Sequence, residues 1–316
     1  MRTLLILLLL ISSVYATKMK TPIASFIADG AVNDIVYKDA KLYAATSSGT
    51  VNIFDVKSKK IINTIKVAKI KNFLGEKTDA KIYSVDILDN KILLLSQGQR
   101  GYRELSIYEN SKLTKIISTS DKLSIAKAKF IDKENVLLAL LSNDIISYNI
   151  KNQKKNWTTQ ASQSKFSNLA LNEDRTEVVI ADESGNLHIF TTANASLIKT
   201  LSGQNLDNVF AVDFKNNTIA TAGQDRRSVI YDLSSNSAYY KSSNFLIYGV
   251  GLSPSASLAA YASDEKNNIT VFKTNTKSNI ATFSGNKMTI VKILFINENV
   301  FFACDDDNII NMYKIK

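Results

Sequence analysis

A period of about 41 residues runs through this chain and constrains its fold more than any other feature. Seven short segments each end in an aromatic residue, and they align without gaps. These aromatic residues are Phe54, Tyr108, Tyr148, Phe190, Tyr231, Phe272 and Tyr313. Their successive spacings are 54, 40, 42, 41, 41 and 41 residues, so only the first interval is oversized. A fixed period of this length is typical of repeat architectures, in which each repeat is one structural unit.

Each repeat has the residues for four strands. A β-rich run such as residues 42–45 precedes each aromatic segment, and turn-forming residues such as 47–49 (Ser-Ser-Gly) separate the two. The pair therefore predicts a hairpin. A preceding run such as residues 34–37 and a following run such as 61–64 bring the number of strands to four. Four strands in every 41 residues predict an all-β fold, a seven-bladed β-propeller.

The two ends of the chain predict how the ring closes. The sequence ends at Lys316, three residues after Tyr313, so the seventh repeat has no fourth strand of its own. Residues 22–26 (Pro-Ile-Ala-Ser-Phe) resemble residues 279–283 (Asn-Ile-Ala-Thr-Phe), the fourth strand of the sixth repeat. We therefore expect the N-terminal strand to complete the last blade, which removes an exposed sheet edge.

The repeat pattern resembles the WD40-type propeller, in which the third strand ends in an aromatic residue followed by Asp. Phe54-Asp55 and Tyr231-Asp232 match that pattern, and the other five repeats depart from it. The Gly-His dipeptide of the family is missing, since the single histidine, His188, does not follow a glycine. The resemblance therefore implies that the family's Asp-His-Ser-Trp hydrogen-bond network is absent. We expect the blades to depend on apolar packing and on hydrogen bonds between strands.

The N-terminus is typical of a secretory signal. Residues 1–3 carry a positive charge, and residues 4–11 form an apolar run too short to span a bilayer. Val14-Tyr15-Ala16 fits a cleavage site, so we predict a signal peptide at 1–16 and a propeller at 17–316. No later stretch reaches about 18 consecutive apolar residues. These features predict a periplasmic protein, exported without a membrane span, and we expect it to be a monomer.

Composition argues against several chemistries. The single cysteine, Cys304, excludes an intrachain disulfide and a Cys-x-x-Cys-His haem site, and His188 alone cannot hold a copper cluster. Trp157 is the only tryptophan, whereas quinoprotein-type propellers use recurring tryptophans. We therefore predict no enzyme activity, no cofactor and no metal site. The net charge of +10 favours an acidic partner or surface, but lysines spread around a disc do not favour nucleic acid.

Acidic residues in the turns between second and third strands keep one enzymatic alternative open. They occur in blades four to seven, at Asp182, Glu183, Asp225, Asp264, Glu265, Asp305, Asp306 and Asp307. Oxygen ligands suit Ca²⁺ or Mg²⁺, so a metal-dependent, lactonase-like hydrolase is the alternative hypothesis. The simpler interpretation is a solvated acidic face. Lysines cluster in the turns on the opposite face, for example Lys57, Lys59, Lys60, Lys151, Lys154 and Lys155.

The strongest departure from the repeat is the loop at residues 97–104, which places basic and aromatic residues on the acidic face. Irregular loops on a regular scaffold often carry binding function. The predicted partner-binding residues are Arg100, Tyr102 and Arg103 of this loop, with Lys69, Lys71 and Phe73 of the neighbouring insertion. A lengthened loop without function is the alternative.

The whole-chain pattern also resembles the NapL family of accessory proteins associated with periplasmic nitrate reductase. The shared features are a signal peptide, about 300 mature residues, divergent WD40-like blades and a composition rich in Lys, Asn and Ile. This resemblance implies a scaffold that supports or matures an exported reductase and that does not itself carry electrons. The expected partner is an exported protein such as a periplasmic reductase subunit. A surface adhesin or an envelope-assembly scaffold differs from this reading only in the partner.

Overall fold

The structure, a computed structural model, describes residues 19–316 of the chain. These residues form seven blades, each with four antiparallel strands, together with one additional strand on the sixth blade and a small two-stranded hairpin. The proposed signal peptide and cleavage site lie outside these residues. The strands in chain order are β1 (Met19–Lys20), β2 (Ala24–Ile27), β3 (Val32–Lys38), β4 (Lys41–Thr46), β5 (Thr50–Asp55), β6 (Lys60–Lys66), β7 (Ile70–Lys71), β8 (Lys77–Thr78), β9 (Ile82–Leu88), β10 (Lys91–Gln97), β11 (Arg103–Glu109), β12 (Lys112–Ile117), β13 (Ile125–Phe130), β14 (Asn135–Leu140), β15 (Asp144–Asn149), β16 (Lys154–Gln160), β17 (Phe166–Leu171), β18 (Glu177–Asp182), β19 (Leu187–Thr191), β20 (Leu197–Leu201), β21 (Val209–Lys215), β22 (Thr218–Gly223), β23 (Arg227–Asp232), β24 (Ser237–Ser242), β25 (Val250–Leu252), β26 (Leu258–Ala262), β27 (Ile269–Lys273), β28 (Asn279–Phe283), β29 (Ile290–Asn297), β30 (Val300–Asp305) and β31 (Ile309–Lys314). Two short 3-10 turns, Gln99–Gly101 and Thr119–Asp121, are the other regular elements within this range.

The first strand of each blade lies innermost, around a central channel. These inner strands are β3, β9, β13, β17, β21, β25 and β29, and each contacts the inner strand of the next blade. The last contact, between β29 and β3, closes the ring. The seven-bladed propeller predicted from the repeat is therefore confirmed. We call the face that carries the turns between second and third strands the front face, and the opposite face the back face.

The N-terminal segment completes the last blade, as the sequence predicts. Strand β2 pairs antiparallel with β31, with Phe26 opposite Ile310. Phe26 is buried, and its ring packs edge-on against Phe54 of the first blade and Phe302 of the seventh, at 5.5 and 5.6 Å between centroids. The strand β1 adds something the repeat did not indicate, because it pairs in parallel with β28 and gives the sixth blade a fifth strand.

The core is divided into seven apolar clusters, and each lies between two neighbouring blades. Alternate residues of one strand face opposite sides of a sheet. In β4, Leu42 and Ala44 therefore pack toward the seventh blade, whereas Tyr43 and Ala45 pack toward the second. Burial on both faces explains why these strands read as continuous apolar runs.

The repeated aromatic residue has one structural role throughout the ring. Each of the seven packs into the cluster that its blade shares with the preceding blade. Phe54, for example, packs toward the seventh blade and Tyr231 toward the fourth. The 41-residue period therefore records one large side chain at every blade interface.

Buried polar networks join the connecting segments to the blades that follow them, in addition to the apolar packing and the strand hydrogen bonds that the sequence predicted. Asn205 Oδ1, in the connection before β21, accepts hydrogen bonds from Thr221 Oγ1 at 3.0 Å and from Tyr231 Oη at 3.1 Å. In the seventh blade Asn286 Oδ1 accepts from Tyr313 Oη at 3.1 Å and from Asn311 Nδ2 at 3.0 Å. Burial raises the pKa of Tyr231 to about 12, so its hydroxyl remains a donor.

The fourth blade has a network of its own around a carboxylate. His188 Nε2 lies 3.4 Å from Asp182 Oδ2, and Ser162 Oγ donates to the same oxygen at 2.7 Å. On the opposite edge of the imidazole, His188 Nδ1 lies 3.2 Å from Thr200 Oγ1. The histidine is therefore a packed structural residue of β19.

In residues 19–316 no helix has the length and apolar character needed to cross a membrane.

Candidate functional site: the central channel and the front face

Bulges near the start of the inner strands set which side chains line the channel. In β3 the register shifts between Val32 and Asp34, and in β13 it shifts between Ile125 and Lys127. The inner strands of the second, fourth, fifth and seventh blades are shifted in the same way. Bulges re-aim side chains, and here they set residues at equivalent positions around one ring. These residues are Asp34, Ser84, Lys127, Asn168, Ala211 and Lys292, and the corresponding position of the sixth blade is held by Gly249.

Two residues further along the inner strands lies a second ring of side chains. Its charged members are Asp86, Lys129 and Asp213, which line the channel toward the back face. Arg175, from the turn after β17, reaches across from the fourth blade to Asp86 of the second. The channel therefore contains three carboxylates and four cationic groups from these two rings and Arg175.

Ion pairs connect most of these groups. Lys292 Nζ lies 2.6 Å from Asp34 Oδ1, and Lys129 Nζ lies 3.5 Å from Asp34 Oδ2. Arg175 donates to both oxygens of Asp86, at 2.6 and 3.3 Å. Burial alone would raise the pKa of Asp34, but the ammonium groups of Lys129 and Lys292 hold that pKa well below its usual range. Asp34 therefore stays ionised.

The same side chains bind the backbone of neighbouring inner strands. Asp34 Oδ2 accepts from the amide of Val85 at 3.1 Å, and Lys292 Nζ donates to the carbonyl of Ile35 at 2.8 Å. Asp213 accepts from the amides of Phe214 at 2.9 Å and Leu252 at 2.8 Å. The channel network thus links successive blades.

Between the sixth and seventh blades, close backbone approach takes the place of these links. A Cβ added to Gly251 would lie 2.7 Å from the carbonyl oxygen of Ile293. Only glycine therefore permits this separation of β25 and β29 without a shift.

Lys127 differs from the other cations of the channel. Its Nζ donates to Asn168 Oδ1 at 2.5 Å and to the carbonyl of Leu169 at 3.3 Å. Within residues 19–316 no carboxylate oxygen lies within 4.0 Å of it. Burial, followed by repulsion from Lys129, lowers the pKa of Lys127 to about 7 from an ordinary value of 10.5. Lys127 is therefore an amine with neutral hydrogen-bond partners only, and it is charged mainly below about pH 7.

Two cavities meet at Lys127. The front cavity has a volume of about 370 Å³, and its walls include Tyr83, Phe166 and Phe210. The back cavity has a volume of about 240 Å³ and is lined by the second ring and Arg175. Lys127, Asp213 and Lys292 border both cavities, so they form the boundary between them.

The predicted partner-binding loop lies on the front face, but its residues are not equivalent. Arg100 is exposed in the 3-10 turn and has a positive φ of 54°. Tyr102 is half-buried. Arg103 is held in place, because its guanidinium stacks 4.0 Å from the centroid of the Tyr83 ring and donates to the carbonyl of Gly101 at 2.6 Å. Of the two arginines, Arg100 is thus the one available to a partner.

The insertion at residues 67–81 forms a small hairpin of strands β7 and β8. Lys69 pairs with Asp79 at 3.2 Å, and Lys71 lies in β7. Phe73 is fully exposed, and the neighbouring Leu74 is 76% exposed.

The tip of this hairpin is preformed. Asn72 Oδ1 accepts from the amides of Leu74 and Glu76, both at 2.9 Å. Two apolar side chains are therefore presented to solvent on an ordered turn.

The hairpin and the loop meet at the start of β9. The amide of Gln97 donates to the carbonyl of Lys81 at 2.8 Å, and Arg103 stacks on Tyr83 two residues further. No hydrogen bond or ion pair in the described part of the chain joins Lys69, Lys71 or Phe73 directly to Arg100. The predicted patch is therefore two adjacent elements connected through one strand.

The acidic turns are solvated only in part. Glu183, Glu265 and Asp306 are exposed, whereas Asp182 and Asp305 are buried.

Several of the turn carboxylates bind the connection that precedes the inner strand. Asp305 Oδ2 accepts from the amides of Lys287 and Met288, at 2.8 and 3.1 Å. Asp225 Oδ2 accepts from the amide of Leu206 at 2.8 Å. These aspartates stabilise loops.

Burial alone would raise the pKa of Asp182, but hydrogen bonds from His188, Ser162 and Ser184 lower it to about 2. The buried thiol of Cys304 shows the opposite shift, since burial raises its pKa to about 12. Across residues 19–316, no three or more His, Cys, Asp and Glu side chains form a group that could hold a metal ion.

Sequence reasoning missed the channel network. A signal was present, because charged residues stand inside otherwise apolar inner strands at matching positions of the repeat, as at Asp34, Lys127 and Lys292. The contact of Arg175 with Asp86 had no such signal, since it joins a turn of one blade to a strand two blades away.

No protein-family model matches the chain. A search of curated proteins likewise finds no significant match.

Proposed function

We propose that this protein is a non-enzymatic, exported propeller that binds another exported protein through its front face. The observation that carries the proposal is the preformed hairpin tip at Phe73 and Leu74. This hairpin interrupts the blade repeat and presents two large apolar side chains to solvent. Exposed apolar groups on an ordered element are typical of protein-binding surfaces.

Charge around the tip indicates the chemistry of the partner. Lys71 and Arg100 carry no carboxylate partner within 4.0 Å among the described residues, whereas Lys69 is neutralised by Asp79. A partner surface with an apolar pocket and acidic groups at its edge fits this arrangement. The resemblance to the NapL family favours a subunit of periplasmic nitrate reductase as that partner.

The competing proposal, a metal-dependent hydrolase, would need free carboxylates at the channel. Asp34 and Asp86 are already neutralised by Lys292 and Arg175, and both oxygens of Asp213 accept backbone amides. This donor set favours a binding protein over a divalent-cation enzyme. Equilibrium dialysis against Ca²⁺ and Mg²⁺ tests the alternative, and stoichiometric binding of either ion would support it.

The direct test is quantitative affinity capture from the native exported fraction. We expect Phe73→Ser combined with Leu74→Ser to reduce recovery of the specific partner at least tenfold. Leu197→Ser combined with Ile198→Ser is the matched control, because these residues are also exposed but lie on the outer strand β20. Equal recovery with the hairpin variant would reject the proposed surface. Stoichiometric capture of a reductase subunit would support the proposed partner.

A further inference from the structure

The charges of the central channel are unevenly satisfied. Asp34 and Asp86 each have cationic partners, and Asp213 accepts two amides. Lys127 has only an amide oxygen and a backbone carbonyl as acceptors. Among the described residues, Lys127 is therefore the ammonium group of the two rings that has no carboxylate partner, whereas each carboxylate of the two rings has at least one hydrogen-bond donor.

Lys127 lies at the floor of a partly open cavity of a size suited to a small organic molecule. The front cavity of about 370 Å³ falls within the range of ligand pockets, roughly 300–1,000 Å³. One wall is rigid, because Phe210 stacks face to face on Tyr248 at 4.9 Å with an interplanar angle of 9°. Phe166 and Val250 add further apolar surface.

The polar groups at the edge of the cavity are already engaged. Asn33 Nδ2 donates to the carbonyl of Ile82 at 2.9 Å, and Ser167 Oγ donates to Asn208 Oδ1 at 2.5 Å.

The charged groups of the lining also have partners, since Asp34 pairs with Lys292 and Asp213 accepts two backbone amides. A ligand would therefore meet the aromatic wall, polar groups that are already engaged, and Lys127 as the amine without a carboxylate partner. Apolar surface with a small number of available polar groups is typical of small-molecule sites.

We propose that the front cavity binds a small organic carboxylate, with its apolar part against Phe210 and its carboxylate against the ammonium of Lys127. A carboxylate would supply the charge partner that Lys127 lacks, in a site where a charge-assisted hydrogen bond is stronger than a neutral one. This site is separate from the hairpin of the proposed function, so either can fail alone.

Calorimetric titration of the purified protein tests the site, with benzoate and hexanoate as probes. We expect at least one of the two to bind and neutral benzamide not to bind. Lys127→Met keeps the length of the side chain without its charge and is expected to weaken binding at least tenfold. Lys165→Met, at an exposed lysine paired with Glu183, is the control and should bind as the unmodified protein does.

Two matched variants locate the ligand without touching Lys127. Ala126 lines the front cavity and Ala170 lines the back cavity, and both are half-buried on neighbouring inner strands. We expect Ala126→Phe to abolish binding and Ala170→Phe to preserve it. Failure of both probes to bind the unmodified protein would overturn the proposal. Equal binding of benzamide, or loss of binding only with Ala170→Phe, would overturn it as well.

Discussion

Lys292 Nζ lies 2.6 Å from Asp34 Oδ1, which joins the inner strand of the last blade to that of the first across 258 residues of sequence. Lys292 also donates to the carbonyl of Ile35, so the pair binds both side chain and backbone at the closing interface. The ring is therefore closed at two places. Near the channel the contact is the polar pair of Lys292 and Asp34, and at the outer edge of the seventh blade it is the strand β2 with its buried side chain Phe26.

Asp34→Asn should destabilise the protein by about 3–5 kcal/mol, because Lys292 then loses its carboxylate partner and Lys129 keeps only the more distant Asp86, at 4.0 Å. Urea unfolding followed by circular dichroism measures this change. Asp89→Asn is the control, since Asp89 forms an exposed pair with Lys133. Its expected cost is below about 1 kcal/mol. Equal effects of the two variants would contradict a structural role for the channel pair.

The pH dependence of this contribution has a defined sign. The pKa of Asp34 is lower in the folded protein than the value of about 3.9 in an unfolded chain. Its stabilising effect is therefore complete above about pH 4 and is lost as pH falls toward the lowered value. We expect the stability difference between the unmodified protein and Asp34→Asn to shrink below pH 4.

Phe26→Ala should destabilise the ring by about 3–5 kcal/mol, because it removes a buried ring from between Phe54 and Phe302. Thermal and urea unfolding measure the effect. Ile27→Ala lies in the same strand on its exposed side and should change stability by less than about 0.5 kcal/mol. If both variants unfold like the unmodified protein, the N-terminal strand does not hold the ring closed.

Lys127 should titrate near pH 7, because burial and the ammonium groups of Lys129 and Lys292 outweigh attraction from Asp34 and Asp213. Reductive methylation with ¹³C and nuclear magnetic resonance across pH 5–11 measures the value, and Lys127→Met assigns the signal.

The same shift makes a prediction about stability. Between about pH 7 and 10.5 the unfolded chain binds a proton that the folded protein does not, so this group's contribution to stability rises with pH. Lys127→Met should remove that part of the pH dependence. A Lys127 signal that titrates with the surface lysines would contradict the account of the channel.

Tyr231→Phe should cost about 1–3 kcal/mol, since it removes a buried hydroxyl that donates to Asn205. Urea unfolding measures this loss. Tyr240→Phe, on the neighbouring outer strand, changes a tyrosine that is 46% exposed and should be nearly neutral. Equal stability of Tyr231→Phe and the unmodified protein would show that the polar networks contribute little.

The repeat predicted the blades, their number and the closing strand because large apolar side chains recur once per blade interface. Phe54 and Tyr231 mark those interfaces directly in the sequence. The networks around Asn205 and Asn286 were not predicted, because each joins a connecting segment to a third strand some 26 residues later. Such pairings depend on loop geometry that the strand pattern does not contain.

Of the candidate sites, the hairpin and the loop were predicted from the sequence, whereas the channel around Lys127 was not. The hairpin and the loop stood out because they interrupt the period, and the exposure of Phe73 agrees with the proposed role. Arg103 was expected to face a partner, whereas its guanidinium stacks on Tyr83. The ring around Lys127 depends on bulges that shift the register by one residue, and a sequence pattern alone does not locate them.

Site-specific photocrosslinking in the native exported compartment tests the proposed function most directly. A photoreactive residue replaces Phe73 in one variant, Arg100 in a second and Leu197 in a third, and crosslinked products are identified by mass spectrometry. We expect one and the same exported protein to be crosslinked at positions 73 and 100, and no protein to be crosslinked at position 197. Absence of a crosslink at position 73, or the same products at all three positions, would contradict partner binding through the front face.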